Sequence, residues 1–305
     1  MSHRSQVVRR RRARAPIPAR IGLDRRTRAV ESLADPAGRF VPGSEIDAMA
    51  ADEADVDKAE VKRAEPSEVP IGHRFAAALR EAGLSVIAEI KRRSPSRGAL
   101  NADADAADLA SEYKAGGAAC LSVLTESERF GGSPEDLQAA KTVTGLPVLR
   151  KDFLRTLDDV RDSHAMGADA MLVILADIDP AALPPIQQLA LSLGVDVLTE
   201  VRDEAELDTA VDLGAYMIAI NQRDNPESTK FTVDYDKAVR VSRCFENIDD
   251  RILLIAASGI GVPGGTSMRA ITEAGYDAAL IGEALVVADD PPELLRDLLA
   301  DARGG

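Results

Sequence analysis

Short apolar runs recur along the chain from residue 85 onward, and each has the length of a buried strand. They are Ser85–Ile90, Ala119–Leu124, Leu146–Leu149, Asp169–Leu175, Val195–Thr199, Ala215–Ile220, Ile252–Ala256 and Asp277–Ile281. Helix-like stretches lie between them, among them Ala104–Ala115, Pro134–Val143 and Glu204–Leu213. Continuous apolar runs of this kind are typical of parallel strands that are buried on both faces.

Glycines stand just before several of these runs, as in Ala115-Gly116-Gly117-Ala118 and Leu213-Gly214-Ala215. A glycine adopts the left-handed conformation after a helix at little cost, so it is a common helix end. The runs begin 20 to 37 residues apart, which is the spacing of strand–helix units joined by right-handed crossovers. Eight such units predict an α/β fold, a (β/α)8 TIM barrel. A doubly wound open sheet is the alternative, but no Gly-x-Gly-x-x-Gly turn follows the first run.

The first 70 residues lack this regularity, so we predict an N-terminal extension, 1–70, followed by a barrel domain, 71–305. Residues 1–29 contain ten arginines and a single acid, Asp24, and indicate a disordered tail. A nucleic-acid arm or a targeting peptide is the alternative there. Residues 45–65 are acidic and alanine-rich, which predicts an amphipathic helix or a mobile segment.

Composition and charge indicate which residues form the core and which partners the protein is expected to lack. Hydrophobic residues make up 45% of the chain, but aromatic residues only 3% and Trp none, so the core must consist of Ala, Val, Ile and Leu. The net charge is −14; residues 1–29 account for +9, so the rest of the chain has −23. A body this acidic repels nucleic acid and anionic membranes, and we expect neither as a partner. A small anionic substrate would need a locally positive pocket.

The two cysteines, Cys120 and Cys244, are too few for a disulfide framework and match no metal-ligand spacing. No apolar run approaches the roughly 18 residues of a membrane span, and a signal-peptide core is missing. We therefore expect a cytoplasmic protein without a metal site. We expect it to be a monomer or a weak homo-oligomer.

Polar side chains follow the predicted strands, whereas the strand beginnings are mostly small or apolar. Glu89 and Lys91 end the first strand, Lys151 follows the third, Glu200 the fifth and Asn221 the sixth. The carboxyl ends of the strands form the catalytic face of such barrels. A single charged residue at a strand end is usually only solvated, but five at corresponding ends predict one shared pocket. Glu89 and Lys91 are two residues apart and so point to the same side.

Two further strand ends have the composition of a phosphate site. Ser258 and Gly259 follow the seventh predicted strand, and Gly282 and Glu283 follow the eighth. Phosphate groups are commonly bound after these two strands of a barrel. Backbone N–H groups in such turns can surround an oxyanion. We therefore predict that Ser258, Gly259, Gly282 and Glu283 bind phosphate.

These strand-end residues resemble the indole-3-glycerol-phosphate synthase family. The most specific blocks are Ile87–Lys91 with Ser94-Pro95-Ser96, and Leu146–Phe153. The resemblance covers about residues 73–300. Its shorter blocks are Leu121–Thr125, Phe130–Ser133, Thr199–Val201, Ile220–Asp224, Ser258–Ile260 and Gly282-Glu283.

The resemblance implies an enzyme of tryptophan biosynthesis that needs no cofactor. Its substrate would be 1-(2-carboxyphenylamino)-1-deoxyribulose 5-phosphate, converted to indole-3-glycerol phosphate with release of carbon dioxide and water. Lys151 would be the general acid on the ketone oxygen, and Lys91 would pair with the anthranilate carboxylate. Glu200 would be the base of the dehydration, with Glu89 and Asn221 as orienting residues. Further substrate contacts would come from Ser94, Phe130 and Arg223.

One departure from the family pattern concerns the seventh strand. The family usually has Glu before the Ser-Gly pair, where this chain has Ala257. Loss of that acid would weaken catalysis or change the substrate accepted. Two alternatives therefore stay open: a diverged paralogue acting on a related phosphorylated, anthranilate-derived substrate, and a non-catalytic ligand-binding paralogue. The segments Asn225–Lys230 and Gly261–Ser267 also depart from the family pattern.

Overall fold

Eight parallel strands close into a barrel in the computed structural model, which describes residues 73–81, 83–95, 97–223 and 233–304. The strands follow one another around the ring in chain order, and the eighth pairs with the first. The predicted (β/α)8 TIM barrel is therefore confirmed. The strands are β1 Ser85–Ile90, β2 Cys120–Leu124, β3 Val148–Leu154, β4 Ala170–Ile174, β5 Asp196–Val201, β6 Met217–Asn221, β7 Leu253–Ala257 and β8 Ala278–Ile281.

Helices lie between the strands and pack around the barrel. They are α1 Arg74–Leu79, α2 Ala106–Gly116, α3 Ser127–Phe130, α4 Pro134–Thr144, α5 Leu157–Ala165, α6 Leu183–Ser192, α7 Glu204–Asp212, α8 Lys237–Val241, α9 Met268–Glu273, α10 Glu283–Val286 and α11 Pro291–Arg303, with 3-10 turns at Leu175–Asp177, Pro180–Ala182 and Ser242–Asn247. A two-stranded hairpin, Arg93–Ser94 with Gly98–Ala99, follows β1. Within the described ranges, no helix has both the length and the apolar character needed to cross a bilayer.

The predicted N-terminal extension, residues 1–70, lies outside the described residues, so the domain boundary stays a prediction. Inside the barrel domain, the third strand differs from its predicted bounds. The apolar pattern predicts an end at Leu149, but β3 continues to Leu154 with a register shift between Arg150 and Leu154. The polar side chains stop the apolar pattern, yet the backbone ladder with β2 continues and pairs Leu124 with Lys151. Lys151 therefore lies within the strand.

Side chains alternate between the barrel interior and the helix layer, as the period of a strand requires. The interior cluster includes Ile87 of β1, Leu149 of β3, Leu198 of β5 and Leu280 of β8, all 5% exposed or less. The alternate positions, such as Val86 and Val197, face the surrounding helices. The interior is thus a packed core, and Glu89, Lys151 and Glu200 come two residues after interior positions on their strands.

Helix α1 closes the amino-terminal end of the barrel. Phe75 and Leu79 are fully or almost fully buried in the interior cluster. Asp196, at the start of β5 and fully buried, accepts hydrogen bonds from Ala76 N at 2.9 Å and from the Tyr216 hydroxyl at 2.8 Å. His73 Nδ1 lies 3.1 Å from the same carboxylate without the alignment of a hydrogen bond. Charged side chains thus also occur at strand beginnings, where they hold backbone groups of neighbouring segments.

Candidate active site

A cavity of about 810 Å³ opens at the carboxyl-terminal mouth of the barrel. All twelve residues that we predicted from the sequence to form the site line this cavity. They are Glu89, Lys91, Ser94, Phe130, Lys151, Glu200, Asn221, Arg223, Ser258, Gly259, Gly282 and Glu283. Ser96 and Asp224 of the matching blocks lie outside the described residues. Among the described residues, His, Cys, Asp and Glu side chains form no group of three or more that could hold a metal ion.

The end of β1 supplies a close ion pair. Lys91 Nζ donates a hydrogen bond to Glu89 Oε1 at 2.6 Å, as the two-residue spacing predicts. Burial opposes ionisation of Glu89 and is the largest single influence on its pKa. The attraction of Lys91 and Lys151, the hydrogen bond from Lys91 and the charge of Arg223 together outweigh it, so the pKa of Glu89 is lowered. Glu89 is therefore an anion in the neutral range although only 5% of it is exposed.

A second group of polar side chains comes from β3, β5 and β6. Lys151 Nζ lies 3.9 Å from Glu200 Oε2, and the Asn221 side-chain amide donates to Glu200 Oε1 at 2.8 Å. Asn221 Oδ1 in turn accepts from the backbone N–H of Arg223 at 3.0 Å. Because each oxygen of Glu200 has a different partner, the carboxylate is held in one orientation beside the lysine.

Aromatic side chains form one wall of the mouth. Phe130 at the end of α3 and Phe153 of β3 have ring centroids 6.4 Å apart, and the Arg129 guanidinium lies 5.0 Å from the centre of the Phe153 ring. A planar, electron-rich ring is well accommodated by such a surface. Phe130 was nominated by the resemblance, whereas Phe153 and Arg129 were not.

The loops after β7 and β8, predicted to bind phosphate, have backbone conformations and close contacts that restrict their side chains. Ser258 has a φ of 70°, and no other non-glycine residue in the described part of the chain has a positive φ. Gly259 follows with a φ of 68°, and a Cβ there would lie 2.6 Å from Val233 Cγ1. A Cβ on Gly282 would overlap Glu89 Oε1 and lie 3.0 Å from Lys91 Nζ. Glycine at 282 therefore lets the backbone approach the ion pair of β1 closely.

Glu283 differs from Ser258, Gly259 and Gly282, the other residues predicted to bind phosphate, because its side chain is an acid. Its carboxylate pairs with Arg97 Nε at 2.9 Å and lies 3.9 Å from Arg223 Nη2. The negative side chain cannot attract phosphate, so any contact from Glu283 would come from its backbone N–H. The carboxylate instead joins the hairpin after β1 to the residues at the end of β6.

Several residues that shape the site were missed at the level of sequence. Asp152 accepts from the Thr125 hydroxyl at 2.6 Å and lies 3.5 Å from Arg150 Nη2, which fixes β3 against β2 around Lys151. Gln222, fully buried, bonds to the loop after β7. Both stand beside residues predicted for the site, in Lys151-Asp152 and Asn221-Gln222. Asp152 lines the cavity together with Lys151, whereas Gln222 follows the end of β6 and does not line it. Only the folded contacts show what such residues do.

The floor of the cavity is apolar. Leu172, Ala257 and Leu280 line it, and none is more than 5% exposed. Ala257 pairs in register with Asn221 on one side and Leu280 on the other. The missing acid of the family pattern therefore leaves an apolar position directly beside the polar residues.

The arrangement brings the ammonium groups of Lys91 and Lys151, the carboxylates of Glu89 and Glu200 and the amide of Asn221 into one cavity, together with the loops predicted to bind phosphate. An ammonium group can donate a proton to a carbonyl oxygen, and a carboxylate held opposite can remove a proton from carbon. An apolar floor excludes water and strengthens these interactions. The site is therefore suited to acid–base chemistry on a small phosphorylated molecule.

The family model that this chain matches and two of its relatives have the same name. Residues 44–298 match the family model for indole-3-glycerol phosphate synthase. The chain is 44% identical over 224 residues to the indole-3-glycerol phosphate synthase of Streptomyces griseus, an alignment that covers 73% of this chain and 80% of the relative. It is 41% identical over 252 residues to the enzyme of that name from Mycolicibacterium smegmatis, covering 82% of this chain and 89% of the relative.

Proposed function

The chain belongs to the indole-3-glycerol phosphate synthase family, and we propose that the lysines and carboxylates at its barrel mouth perform the family's ring closure. The enzyme is a carboxy-lyase of tryptophan biosynthesis and acts on a phosphorylated substrate. It converts 1-(2-carboxyphenylamino)-1-deoxyribulose 5-phosphate to indole-3-glycerol phosphate. We propose that residues of this chain act in three stages: substrate binding, ring closure with loss of carbon dioxide, and dehydration.

Substrate binding uses different parts of the cavity wall. The phosphate is bound by backbone groups of Ser258, Gly259, Gly282 and Glu283, with Arg223 at the rim. Lys91 attracts the anthranilate carboxylate, and the aromatic ring lies near Phe130 and Ser94. The support for this orientation is that the anion-site loops and the aromatic wall both line the one cavity, with the lysines also on its walls.

Ring closure requires acid catalysis at the ketone oxygen. The aromatic carbon that holds the carboxylate attacks the ketone carbon, a carbon–carbon bond forms, and Lys151 gives its proton to the oxygen. Carbon dioxide then leaves the same aromatic carbon, and its bonding electron pair restores the ring. A positioned acid of this kind contributes about 10²–10⁴-fold to the rate.

Dehydration completes the indole. The new hydroxyl takes a proton from Lys91 and leaves as water, while Glu200 removes the proton from the neighbouring carbon. Glu200 can return that proton to Lys151, since the two groups lie 3.9 Å apart. One proton from solvent restores Lys91. Glu89 and Asn221 keep the lysine and the base in position through their hydrogen bonds at 2.6 and 2.8 Å.

The single observation on which the proposal depends is the contact between Lys151 and Glu200 beside Lys91 in one cavity. The test is to incubate the purified protein with the substrate and to follow indole fluorescence. We expect turnover in the unmodified protein and a loss of about 10²–10⁴-fold in Lys151→Met, which keeps the length of the side chain without its proton. Lys114→Met is the matched control, because Lys114 bonds to Thr144 O on the helix layer. Equal turnover in both variants would refute the role of Lys151.

The same proposal includes the setting of the enzyme. We propose that it works in the cytoplasm as a monomer or weak homo-oligomer, without nucleic-acid or membrane partners. The support is the charge of −23 that the chain has beyond residue 29. Sedimentation at micromolar concentration tests the oligomeric state, and a stable higher oligomer would contradict it.

A further inference from the structure

The residue between Asn221 and Arg223 is a fully buried glutamine whose side-chain amide is bonded at both ends. Gln222 Nε2 donates to Ser258 O at 2.7 Å and to Thr266 Oγ1 at 3.1 Å, and Gln222 Oε1 accepts from Ala238 N at 3.2 Å. The Thr266 hydroxyl donates onward to Tyr235 O at 2.6 Å. The side chain thus joins the end of β6, the loop after β7 and the start of α8.

The orientation of this amide is fixed by its backbone partners. Ser258 O can only accept a hydrogen bond and Ala238 N can only donate one. If the amide were turned over, its oxygen would face a carbonyl oxygen and its NH2 group would face an N–H. The Ser258 carbonyl and the Ala238 N–H would then both be buried without a hydrogen-bond partner, which strongly destabilises a folded protein. The NH2 group of Gln222 therefore faces Ser258 O, and its oxygen faces Ala238 N.

The position of that carbonyl determines where the next N–H points. In a planar trans peptide the C=O and the N–H point in opposite directions. Because the Ser258 carbonyl is held toward Gln222, the N–H of Gly259 points away from Gln222. A peptide preceding glycine is easily inverted, since glycine adopts positive and negative φ about equally well. The steric preference of residue 259 thus does not select the orientation, whereas the hydrogen bond from Gln222 stabilises the observed one.

We infer that Gln222 is a positioning residue for the substrate's phosphate: by holding the Ser258 carbonyl, it keeps the Gly259 N–H available to the anion. An inverted peptide would place a carbonyl oxygen against the phosphate instead. The inference rests on the proposed function, and specifically on phosphate binding at the loops after β7 and β8. Gln222 itself does not line the cavity, so it acts through Ser258 and Gly259 and not by touching the substrate.

The test compares two substrates in several variants. The substrates are the phosphorylated compound and its dephosphorylated analogue, and inorganic phosphate serves as a competitive inhibitor. Gln222→Met keeps the length of the side chain and removes both hydrogen-bonding functions. Thr266→Val removes the hydroxyl to which the Gln222 amide donates. If Gln222→Met does not fold, this second variant tests the role of the Gln222 side chain. Gln187→Met is the matched control, because Gln187 is also buried but donates to Leu213 O on the helix layer.

For Gln222→Met we expect KM for the phosphorylated substrate and Ki for inorganic phosphate to rise roughly 10- to 100-fold, the effect of one hydrogen bond to a charged group. We expect kcat to change by less than about threefold and kcat/KM on the dephosphorylated analogue to stay constant. Thr266→Val should show a smaller change in the same direction, and Gln187→Met none. A merely structural role would lower activity on both substrates alike.

The outcomes separate this inference from the proposal on which it rests. If the unmodified enzyme makes no distinction between the two substrates and inorganic phosphate does not inhibit it, the phosphate site itself is wrong. If the unmodified enzyme prefers the phosphorylated substrate and Gln222→Met and Thr266→Val keep that preference in full, only the role of Gln222 is wrong. An equal loss on both substrates would also overturn it.

Discussion

Glu89 shows how one side chain depends on the charges that surround it. The carboxylate is buried beneath the mouth of the barrel, where ionisation is costly. Lys91 bonds to it at 2.6 Å, and Lys151 and Arg223 add to the attraction. The result is a lowered pKa, so the folded protein releases this proton more readily than the unfolded chain does. Such a group stabilises the fold above its unfolded pKa, and the stabilisation is lost as the pH falls through the folded value.

We therefore expect the free energy of unfolding to depend less on pH in Glu89→Gln than in the unmodified protein, between pH 7 and pH 3. In the unmodified enzyme, the stabilisation from Glu89 is present above the ordinary glutamate pKa of about 4.3 and declines as the pH falls below it. The variant has no such group, so the difference in unfolding free energy between the two proteins should shrink from pH 7 toward pH 3. Urea unfolding at several pH values measures it. A difference that stayed constant with pH would contradict the lowered pKa.

Ala257 leads to a prediction about rate. The family usually has Glu at this position, and the cavity has space above an apolar floor here. We expect Ala257→Glu to raise kcat/KM by about tenfold, the effect of one additional polar contact in a buried site. Ala257→Gln is the control, since it adds the same bulk without the charge. If the glutamate variant gains nothing over the glutamine variant, the alanine suits the natural substrate of this enzyme.

At the scale of elements, Arg92 joins the hairpin after β1 to the segment after β2. Its guanidinium donates to both oxygens of Asp136 at 2.6 and 2.8 Å, to Gly131 O at 2.9 Å and to Ala104 O at 2.9 Å. Its backbone N–H donates to Phe130 O at 3.2 Å. The planar guanidinium makes these contacts together, and an ammonium group cannot reproduce them. Ser94 and Phe130 of the mouth are therefore held in place by a neighbour.

We expect Arg92→Lys to raise KM about tenfold while leaving the charge unchanged, because the lysine cannot bind the carboxylate with two parallel bonds. The two segments should also separate more often, so trypsin should cut after Arg93 or Arg97 faster than in the unmodified enzyme. Arg161→Lys is the matched control, since Arg161 forms an exposed pair with Asp158 on the outside of α5. The idea fails if cutting rates and KM match those of the control.

The elements were predictable from the sequence to different degrees. Buried parallel strands produce continuous apolar runs, so seven of the predicted runs differ from the observed strands by two residues or fewer at each end. β3 extends five residues beyond its predicted end, because Arg150, Lys151 and Asp152 interrupt the apolar pattern but not the backbone ladder. The hairpin Arg93–Ser94 with Gly98–Ala99 was missed, since it is short and largely exposed and has no periodicity to detect.

The site was predictable where the fold alone brings residues together. Strand ends meet at one face of a barrel, so Lys91, Lys151 and Glu200 could be assigned to one cavity before any distance was known. The partners Gln222, Thr125 and Phe153 could not be found this way. Their contacts depend on side-chain directions and on loop conformations, which a pattern of residue types does not specify.

At the scale of the whole molecule, the two ends of the barrel have separate tasks. The mouth contains the proposed chemistry, and the opposite end contains α1 with Phe75 and Leu79 buried in the interior cluster. Layers of apolar side chains, among them Ile87 and Leu149, lie between the two ends. Stability and activity should therefore be separable by mutation.

We expect Phe75→Ala to lower the free energy of unfolding by about 3–5 kcal/mol, the usual cost of truncating a fully buried phenylalanine. The KM for the substrate should stay within about twofold, because Phe75 lies at the end of the barrel opposite the cavity. Guanidinium unfolding and steady-state kinetics measure the two quantities. Leu157→Ala, at a side chain 39% exposed, should change stability by less than about 0.5 kcal/mol. A large rise in KM would show that the two ends are coupled.

The filled interior also determines how the small products depart. In the proposed mechanism, carbon dioxide and water are released beside Lys151. In the described part of the chain, side chains such as Leu172, Leu198 and Leu280 fill the barrel interior below the cavity. Because the interior is filled, neither molecule can diffuse through the barrel. Both must leave through the mouth, past the newly formed indole. Departure of carbon dioxide before the larger product would make the reaction practically irreversible while the indole is still bound.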